Sequence, residues 1–540
     1  MFAGKPYQSE SIHEPFDAIV IGSGLGGLTA ASLLAKSGLK VLVLERHWTA
    51  GGLTHTYVHE GYECEVGFHY LNDSIAEKEN LTLREIFNDI TNGQLKWASM
   101  KKIYDRFIFP DATYEMVAGR NSFVDTLAGY FPEERKTLEL YLKMVDEFVH
   151  AHKIFYALYT MPPWIKEILS PILSKKFLHY SDRTGLEVLK TITQNPKLIG
   201  VLTARFAMHA LPPGQSSFIT TALPSFGLLD GGAYPVGGPS QIARTIEAVI
   251  EQNGGKVMVG AEVKEILIVK NRAVGVKMKN DDEITAPIII SNAGIWNTLH
   301  SLLPESISSQ FKIYNSLKNI KFSKGNITLS VGFKQDASSL GLESTNTWIF
   351  PGYDHDANFN AYQADPLSAP FPTLFITCPS AKDPDWNQRY PGKSTLDIMV
   401  SSSYEHFSKW DGTEWRKRGE DYLAYKEKFS QRMLDQLYTY MPQLKGKVDF
   451  YELATPLTMK HFHISPYGDM TGLEHTPARF RQKCLCIRTP IPNLFLTGHD
   501  VLMGGIAPAL FSGVLAASIV LKRNLLRNFA TKSPKNKKRK

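Results

Sequence analysis

The chain has 540 residues, of which 43% are hydrophobic and 21% are charged, and its formal net charge is +7. This composition is that of a globular protein with a large apolar interior, and the length favours two domains or one large composite unit over a single simple core. Residues 522–540 hold nine Lys and Arg side chains and no acidic one. The charge therefore belongs to the C-terminus, the body of the chain is close to neutral, and we expect no nucleic-acid partner.

The two ends of the chain bear on its location. Met1–Glu14 is polar and is interpreted as a loose leader, without the apolar core of a signal peptide. No run of 18 apolar residues occurs that would cross a bilayer. We therefore expect a cytoplasmic or a peripherally membrane-associated protein. The basic tail, residues 525–540, either contacts anionic lipid headgroups or remains a solvated, disordered end.

Cysteine usage is sparse. The four cysteines form neither a CxxC pair nor a zinc-ligand spacing. We therefore expect no metal site and no disulfide framework, and a reducing compartment suits the chain.

The first element is a strand–turn–helix–strand unit between Asp17 and Gly52. A short apolar strand, Ala18–Ile21, is followed by a glycine-rich turn and by a helix that runs to about Lys36. The turn carries G-x-G-x-x-G at Gly22, Gly24 and Gly27. In this pattern the first glycine makes the tight turn, the second admits a pyrophosphate to the backbone, and the third lets the helix pack on the strand. The alternative is a glycine-rich turn of purely structural use.

The second strand of this unit, Lys40–Leu44, ends on Glu45. An acidic side chain at this position accepts the hydroxyls of an adenosine ribose and repels a 2′-phosphate. These residues therefore predict a site for FAD or NAD rather than NADP. A further glycine pair, Gly51-Gly52, follows shortly after Glu45.

The next part of the chain departs from the dinucleotide pattern. Residues 53–70 predict a hairpin that turns at Glu60-Gly61 and continues into a loop, Gly67-Phe68-His69-Tyr70. From about residue 75 to 225 the pattern predicts mainly helices. Within it, Ile154–Tyr180 combines aromatic and aliphatic side chains with lysines. This combination is typical of a helix pair in a bilayer interface or at an apolar channel mouth, and equally of a buried helical subdomain.

The dinucleotide pattern returns twice. Residues 229–297 predict a helix over Ser240–Gln252 and strands over 256–259, 263–269, 273–279 and 284–291, and end in Asn292-Ala293-Gly294. Residues 493–500 predict a strand ending in Thr-Gly-His-Asp, and a helix follows from about Ala509 to Lys522. Between these parts, residues 298–482 predict strands of an antiparallel sheet and a long helix, Glu420–Met441.

Several of these segments together resemble the FAD-containing amine oxidase and phytoene desaturase superfamily, and most closely its retinol saturase and carotenoid isomerase branch. The segments that carry the resemblance are IGSGLGGLTAA, VLERHWTAGG, GFHYL, GGAYPVGG, ATPLT and NLFLTGHD. The animal saturases of that branch begin with an apolar segment that the first residues here do not share.

The resemblance implies an α/β fold with two domains. A Rossmann-type FAD domain would be assembled from residues 14–75, 229–297 and 483–524, and a mixed sheet-and-helix substrate domain from residues 76–228 and 298–482. Residues 525–540 would form the tail.

The resemblance also implies the binding residues for FAD. The added Arg46 and the glycine pair would lie along the pyrophosphate and ribityl chain, Val263 would meet adenine, and Asp500 would meet the ribityl or pyrophosphate part. The start of the last helix, Gly505-Ile506, would face the flavin N1/C2 carbonyl. The full predicted set is Gly22, Ser23, Gly24, Leu25, Gly26, Gly27, Glu45, Arg46, Gly51, Gly52, Leu53, Gly67, Val263, Asn292, Ala293, Gly294, Gly498, Asp500, Gly505 and Ile506.

The resemblance implies a flavoprotein oxidoreductase that saturates or isomerises a carbon–carbon double bond of a conjugated isoprenoid such as a retinoid or carotenoid. No catalytic residue is assigned, and the candidates for an acid or base are His69, His55 and Tyr467. NAD(P)H binding transiently, or an electron-donor protein, would supply the electrons. The alternatives are a phytoene-type desaturase or amine oxidase of the same fold, and a non-enzymatic prenyl-binding protein of the Rab GDP-dissociation inhibitor kind.

Overall fold

The computed structural model of the chain describes residues 2–9, 14–75 and 81–531. Residues 532–540, most of the predicted basic tail, and part of the predicted leader lie outside the described residues. The strands are β1 (Lys5–Pro6), β2 (Ala18–Ile21), β3 (Val41–Leu44), β4 (Thr56–His59), β5 (Tyr62–Glu65), β6 (Leu71–Asn72), β7 (Trp97–Ser99), β8 (Ile103–Ile108), β9 (Thr113–Val117), β10 (Gly232–Pro235), β11 (Lys256–Val259), β12 (Val263–Val269), β13 (Arg272–Met278), β14 (Glu283–Thr285), β15 (Ile289–Ser291), β16 (Gly325–Phe333), β17 (Asn346–Ile349), β18 (Leu374–Thr377), β19 (Ser394–Ser402), β20 (Val448–Ala454) and β21 (Leu494–Leu496).

Helices alternate with these strands. They are α1 (Leu25–Ala35), α2 (Leu81–Ile90), α3 (Arg120–Tyr130), α4 (Arg135–Ala157), α5 (Pro163–Leu173), α6 (Lys175–Ser181), α7 (Gly185–Leu189), α8 (Pro196–Thr203), α9 (Ile219–Gly227), α10 (Ser240–Gln252), α11 (Ile295–Asn297), α12 (Glu305–Ser308), α13 (His355–Ala364), α14 (Pro379–Lys382), α15 (Trp386–Arg389), α16 (Glu420–Tyr440), α17 (Pro456–His463), α18 (Pro477–Phe480), α19 (Ile506–Val520) and α20 (Leu525–Thr531). Along the described ranges, no helix is both long and apolar enough to cross a membrane.

A six-stranded parallel sheet holds the first motif. Its order is β1-β11-β3-β2-β15-β21, and each neighbouring pair is parallel. The apolar runs of β2 and β3 are buried along their whole length, as expected of strands covered on both faces. The helix α1 packs closely against α19, where a Cβ on Gly513 would lie 2.4 Å from the Gly26 carbonyl oxygen.

The leader is partly structured. Lys5 and Pro6 pair with Met258 and Val259 and form the edge strand of the parallel sheet. The interpretation of Met1–Glu14 as loose is therefore wrong for these residues. This strand could not be predicted from the periodicity of apolar residues, because it has only two residues and both side chains are exposed.

The second large sheet has seven strands, in the order β20-β16-β19-β18-β17-β8-β9. Its pairs are antiparallel except for β17 with β8, which is parallel. The prediction that residues 75–225 are mainly helical is wrong for β7, β8 and β9. Buried and exposed positions alternate along Thr113–Val117, which is the period of a half-buried strand.

Another strand boundary differs from the prediction. Residues 284–291, predicted as one strand, divide into β14 and β15, which belong to different sheets. Pro287 stands between them, and proline has no N–H group for a sheet ladder, so it ends the first strand. The helix predicted from about Ala509 begins three residues earlier, at Ile506.

The strands of the parallel sheet come from three separate stretches of the chain. We therefore propose that residues 14–75, 229–297 and 483–524, together with β1, form one domain. In this division, residues 76–228 and 298–482 form a second domain that contains the seven-stranded sheet and the helices α3–α9.

A fully buried carboxylate, Asp105, joins the helices to the seven-stranded sheet. It accepts hydrogen bonds from Arg205 Nη2 at 2.9 Å and from Arg205 Nε and the Tyr70 hydroxyl, both at 3.0 Å. Asn346 and Trp348 donate to its other oxygen at 3.0 and 3.2 Å. Every lone-pair direction of this carboxylate is thus used within the protein.

We predict that Asp105→Asn lowers the thermal midpoint by several degrees. The amide leaves the buried Arg205 guanidinium without a counter-charge, a loss of about 3–5 kcal/mol. Asp111→Asn is the control, because its ion pair with Lys197 is about half exposed and contributes about 0–1 kcal/mol. Differential scanning fluorimetry of both variants measures the difference, and equal midpoints would contradict the role of Asp105.

Candidate functional site

The turn between β2 and α1 has the geometry that its glycines predict. Gly22 has a φ of +91°, and a Cβ on Gly27 would lie 2.3 Å from the Gly22 carbonyl oxygen. A Cβ on Gly24 would lie 2.7 Å from Asn292 Nδ2. The N-terminus of α1 receives no side-chain cap, so its N–H groups are available to an anion.

Glu45 fixes this turn from the end of β3. One carboxylate oxygen accepts hydrogen bonds from the Ser23 N–H at 2.9 Å and the Ser23 hydroxyl at 2.7 Å. The other accepts from the His47 N–H at 2.8 Å. An acidic side chain therefore stands at the carboxyl edge of the sheet, beside the glycine turn, where the ribose of a dinucleotide binds in this type of fold.

The second glycine pair also meets the turn. A Cβ on Gly52 would lie 2.9 Å from Gly24 Cα, and the Gly51 N–H donates to the Ser23 hydroxyl at 3.1 Å. Leu53 follows, and Gly67 packs on it, with a Cβ on Gly67 3.3 Å from Leu53 Cβ. These residues, separated by up to about 40 positions, thus line one groove.

The two later segments complete the groove. A Cβ on Gly498 would lie 2.8 Å from Asn292 Oδ1, and one on Gly26 would lie 2.9 Å from the Gly498 nitrogen. Asp500 accepts from the Ile295 N–H at 2.9 Å and faces Gly294, whose Cβ would lie 3.2 Å from its carboxylate. Among the residues that the structure describes, the buried Asn292 Oδ1 has no hydrogen-bond partner. An unsatisfied buried acceptor between two glycine turns suits a site that a polar ligand completes.

Two predicted residues lie further from the turn. Arg46 donates to the carbonyl oxygens of His461 and Phe462 at 2.8 and 3.2 Å. Val263 begins β12, two residues after Ala261, whose N–H donates to the Glu45 carbonyl at 2.7 Å. The structure thus places Val263 at the Glu45 end of the groove and gives Arg46 partners in α17.

A cavity of about 1550 Å³ opens from this groove toward the seven-stranded sheet. Leu53, Gly67, Gly505 and Ile506 all border it. Its farther wall is mainly apolar and includes Met208, Phe226, Trp348, Phe375 and Met399. The volume exceeds the several hundred Å³ of a typical single-ligand pocket, so a cofactor ring and a long apolar substrate fit side by side.

The three candidate acids or bases have different surroundings. His69 lines the cavity, and its Nδ1 lies 3.1 Å from Glu65 Oε2. His55 also lines it, with Nδ1 donating to the Gly52 carbonyl at 2.6 Å. Tyr467 is 47% exposed and packs on Phe322 and Tyr404, and it is not among the cavity-lining residues that the structure describes. The geometry therefore favours the two histidines over Tyr467.

Sequence reasoning missed a group of buried ionisable residues beside His69. Burial raises the pKa of Glu65 to about 8 and that of Asp397 to about 7, and it lowers the pKa of Lys382 to about 8. Burial also lowers the pKa of His69 to about 4. Glu65 ends the second strand of the predicted hairpin, four residues before His69, and Asp397 is a lone carboxylate in an apolar strand. Either pattern was a usable signal, whereas the sequence around Lys382 carries none.

No metal site was expected from the sequence. The structure nevertheless brings one possible ligand atom from each of Glu65, His69 and Asp397 within 4.8 Å of one another. The buried Lys382 ammonium donates to the His69 carbonyl at 2.9 Å and so places a positive charge next to this group. A cation beside the carboxylates favours a hydrogen-bonded proton network over a bound metal ion.

Comparison with known proteins agrees with this geometry. The family model described as an NAD(P)-binding Rossmann-like domain matches residues 20–90, which contain the glycine turn and Glu45. Cyclohexylamine oxidase from Brevibacterium oxydans has a similar structure, with a TM-score of 0.59 and 15% identity, over 94% of this chain and all of that one. The predicted α/β amine oxidase fold is thereby confirmed.

Full-length relatives identify the family. The all-trans-retinol 13,14-reductase of Danio rerio is 33% identical over 96% of this chain and 88% of its own length. A second Danio rerio protein, named as an inactive all-trans-retinol 13,14-reductase, is 34% identical over the same shares. Prolycopene isomerase 1 of an Oncidium hybrid cultivar is 25% identical over 95% of this chain and 84% of its own length. The predicted branch is confirmed, and the chain belongs to the all-trans-retinol 13,14-reductase family.

Proposed function

We propose that this protein is an FAD-dependent oxidoreductase that saturates or isomerises one carbon–carbon double bond of a conjugated isoprenoid, a retinoid or a carotenoid. The observation that carries the proposal is the cavity, because it begins at Leu53 and Gly67, beside the glycine-lined groove for a dinucleotide, and extends along an apolar wall. Family membership supports the substrate class, since relatives are named for a retinol and for prolycopene.

The choice of FAD over a nicotinamide dinucleotide rests on residues outside the first turn. The groove continues through Gly52, Asn292 and Gly498 to the start of α19. It is therefore longer than the adenosine half of a dinucleotide alone requires. Glu45 would repel the 2′-phosphate of NADP. The Rossmann-like match covers this same first unit, so it adds no second site for NAD(P)H, and the electron donor would be transient NAD(P)H or another protein.

In this proposal each end of the site has a distinct task. Bound FAD would supply hydride chemistry at its flavin ring. The uncapped N-terminus of α19, at Gly505 and Ile506, would stabilise negative charge next to that ring. The apolar wall would hold the polyene and exclude water, so that charge developing on the substrate meets only oriented protein groups.

We further propose that the protein contacts a membrane surface through α5. Trp164, Ile168 and Ile172 are 65%, 64% and 74% exposed, and their spacing of four residues puts them on one helix face. Lys175 and Lys176 follow at the next helix start and are exposed. Apolar side chains rimmed by lysines suit the boundary between acyl chains and anionic headgroups.

This surface stands near the cavity. The end of α4, which directly precedes α5, contributes His152, Lys153 and Tyr156 to the cavity wall. Asn524, Leu526 and Arg527, at the base of the basic tail, also line it. A substrate dissolved in the bilayer would thus reach the cavity without crossing water.

The first prediction from this proposal tests the cofactor site. Glu45→Arg removes the ribose acceptor and adds a cation that cannot accept hydrogen bonds from Ser23, so we expect the purified variant to lose FAD. Absorbance of the bound flavin per protein chain measures this. Glu283→Arg, an equal charge reversal on the exposed strand β14, should keep its flavin, and full flavin content in both variants would reject the assignment.

The second prediction tests the reaction. Chemically reduced protein, incubated without oxygen with all-trans-retinol and with carotenoids, is expected to add two hydrogens to one of them or to isomerise it. Mass spectrometry separates the outcomes, because saturation adds two mass units and isomerisation changes only chromatographic retention. Turnover of amines with no change in any polyene would instead favour an amine oxidase.

The third prediction tests the membrane surface. The triple change of Trp164, Ile168 and Ile172 to Ser should weaken co-sedimentation with vesicles of neutral and anionic lipids by tenfold or more, because about 1.5–3 kcal/mol of transfer free energy is lost per side chain. Leu140→Ser, at an exposed apolar site on α4, is the control. Removal of residues 532–540 should weaken binding only at low salt, and unchanged binding of the triple variant would contradict the proposal.

A further inference from the structure

A group of buried polar side chains forms part of the cavity wall on the side of the seven-stranded sheet. Glu65 and His69 line the cavity directly. Tyr234 donates a short hydrogen bond to Glu65 Oε1, and Ser330 donates to Asp397 Oδ1 at 2.6 Å. These residues come from β5, the loop after it, β10, β16 and β19, so the group lies where the two large parts of the fold meet.

Within this group, Glu65 and His69 form a directed pair. Glu65 Oε2 lies 3.1 Å from His69 Nδ1, and only 3% of the Glu65 side chain is exposed. The second imidazole nitrogen, Nε2, is buried and has no hydrogen-bond partner among the residues that the structure describes. Because Nδ1 is occupied by Glu65, Nε2 is the nitrogen left without a partner, on an imidazole ring that lines the cavity.

The protonation of the pair follows from its surroundings. At neutral pH burial keeps Glu65 protonated and His69 neutral. A neutral carboxyl group donates its proton to Nδ1, and the imidazole then carries its own proton on Nε2. Hydrogen-bonded in this way, the pair holds two protons in line, and the outer one is on the imidazole nitrogen that has no partner among the described residues.

We propose that Glu65 and His69 are a proton relay that delivers a proton from the protein to one carbon of the substrate double bond. The proposal rests on the proposed function and names the proton source that the reaction needs. His69 is the catalytic residue, since its Nε2 would touch the reacting carbon. Glu65 acts through His69 and is a positioning and proton-supplying residue.

In this step FAD, in its reduced form, would supply a hydride, which is two electrons and one proton, to one carbon of the double bond. The Nε2–H bond breaks as a C–H bond forms at the other carbon, and the Glu65 O–H bond breaks as Nδ1–H forms. His69 ends neutral in its other tautomer, Glu65 ends as a carboxylate, and the substrate has gained two hydrogens.

The surroundings of Glu65 allow it to be protonated again after each step. The groups that face it are Lys382, Asp397, Glu63, Asp383, Tyr234 and His69. Lys382 offsets the new negative charge, while Glu63 and Asp383 are themselves paired with Arg389 at 2.8 and 2.7 Å. The pKa values of Glu65, Lys382 and Asp397, about 8, 8 and 7, are close to one another, so a proton moves among these groups at small cost in free energy.

The kinetic test uses reduced holoenzyme with the polyene that the wild type converts. Glu65→Gln and His69→Phe should each slow product formation by about 10²–10⁴-fold. The wild-type rate should fall above pH 8, where Glu65 loses its proton, and the slow Glu65→Gln rate should lack that fall. The control is Asp449→Asn. Asp449 accepts a hydrogen bond from Tyr62, which is on the same strand as Glu65, but Asp449 is not among the residues that line the cavity. This variant should keep the wild-type rate and pH profile.

A second variant, Tyr234→Phe, tests the role of Glu65 even if Glu65→Gln folds poorly. The Tyr234 hydroxyl stabilises the carboxylate form of Glu65 and thus lowers its pKa. Tyr234→Phe should therefore move the alkaline fall of the rate to higher pH. An unmoved profile would contradict the assignment of that fall to Glu65.

A third measurement needs no turnover. The folded-state pKa of Glu65, about 8, exceeds its ordinary value of 4.5, so this carboxyl group binds more protons in the folded protein than in the unfolded chain between these pH values. The contribution of Glu65 to stability is therefore fully present below pH 4.5 and is lost as pH rises to 8. The difference between the thermal midpoints of the wild-type and Glu65→Gln holoenzymes should change over this pH range in the direction of that loss.

The outcomes separate the relay from the function. Equal rates and pH profiles in wild type, Glu65→Gln and His69→Phe would overturn the relay while leaving the proposed function intact. Loss of turnover on chelation, restored by a divalent cation, would also overturn it, because the same side chains would then hold a metal ion. If the wild type converts no polyene, the proposed function fails, and parallel midpoint curves would then reject the protonated Glu65 as well.

Discussion

The close approach of backbone segments around Asn292 is the constraint on which the rest of the site depends. Gly24, Gly26 and Gly498 pack against its side chain at distances that leave no room for a Cβ, and Gly22, with a positive φ, packs against its backbone. This contact joins the turn after β2, the end of β15 and the end of β21 at one edge of the parallel sheet. It also brings α1 against α19, and the N-termini of both helices lack side-chain caps.

That geometry sets the polarity of the cavity. The groove at the sheet edge holds N–H groups and the carboxylates of Glu45 and Asp500, whereas the cavity that borders this groove is lined largely by aromatic and aliphatic side chains. A molecule held in the groove and a molecule held in the cavity would meet near Gly67 and Gly505. The buried ionisable group lies beside that meeting point, where low polarity gives each charge a larger effect than it would have in water.

The sequence predicted the fold where the signal is local. The strand, turn and helix from Ala18 to Ala35 follow from apolar runs and glycine spacing, and the hairpin turn at Glu60-Gly61 follows from the same kind of evidence. Prediction from the sequence failed for β1, which pairs with β11 some 250 residues away. It also failed for the strands β7–β9, which lie within a stretch rich in helices. Long-range backbone pairing leaves no periodic trace in two exposed residues.

The site shows the same division between local and distant information. Gly51, Gly52 and Gly67 could be placed near the dinucleotide turn because the resemblance supplied their order along the chain. The environment of His69 could not be predicted, because Lys382 and Asp397 lie more than 300 residues away along the chain and their burial beside Glu65 affects its protonation. A histidine in a loop motif therefore remained one candidate among three until packing showed which carboxyl group it contacts.

Burial explains why such a group is costly and what it can do. Lys382 and Asp397 are 5% and 2% exposed, and charges so removed from water are stable only when they are paired or neutral. The arrangement meets this condition by keeping Glu65 and His69 neutral beside Lys382. A neutral acid next to a compensating cation can lose a proton to a ligand without leaving an isolated buried charge. The same desolvation that costs folding free energy thus brings the proton donor close to the pH at which it works.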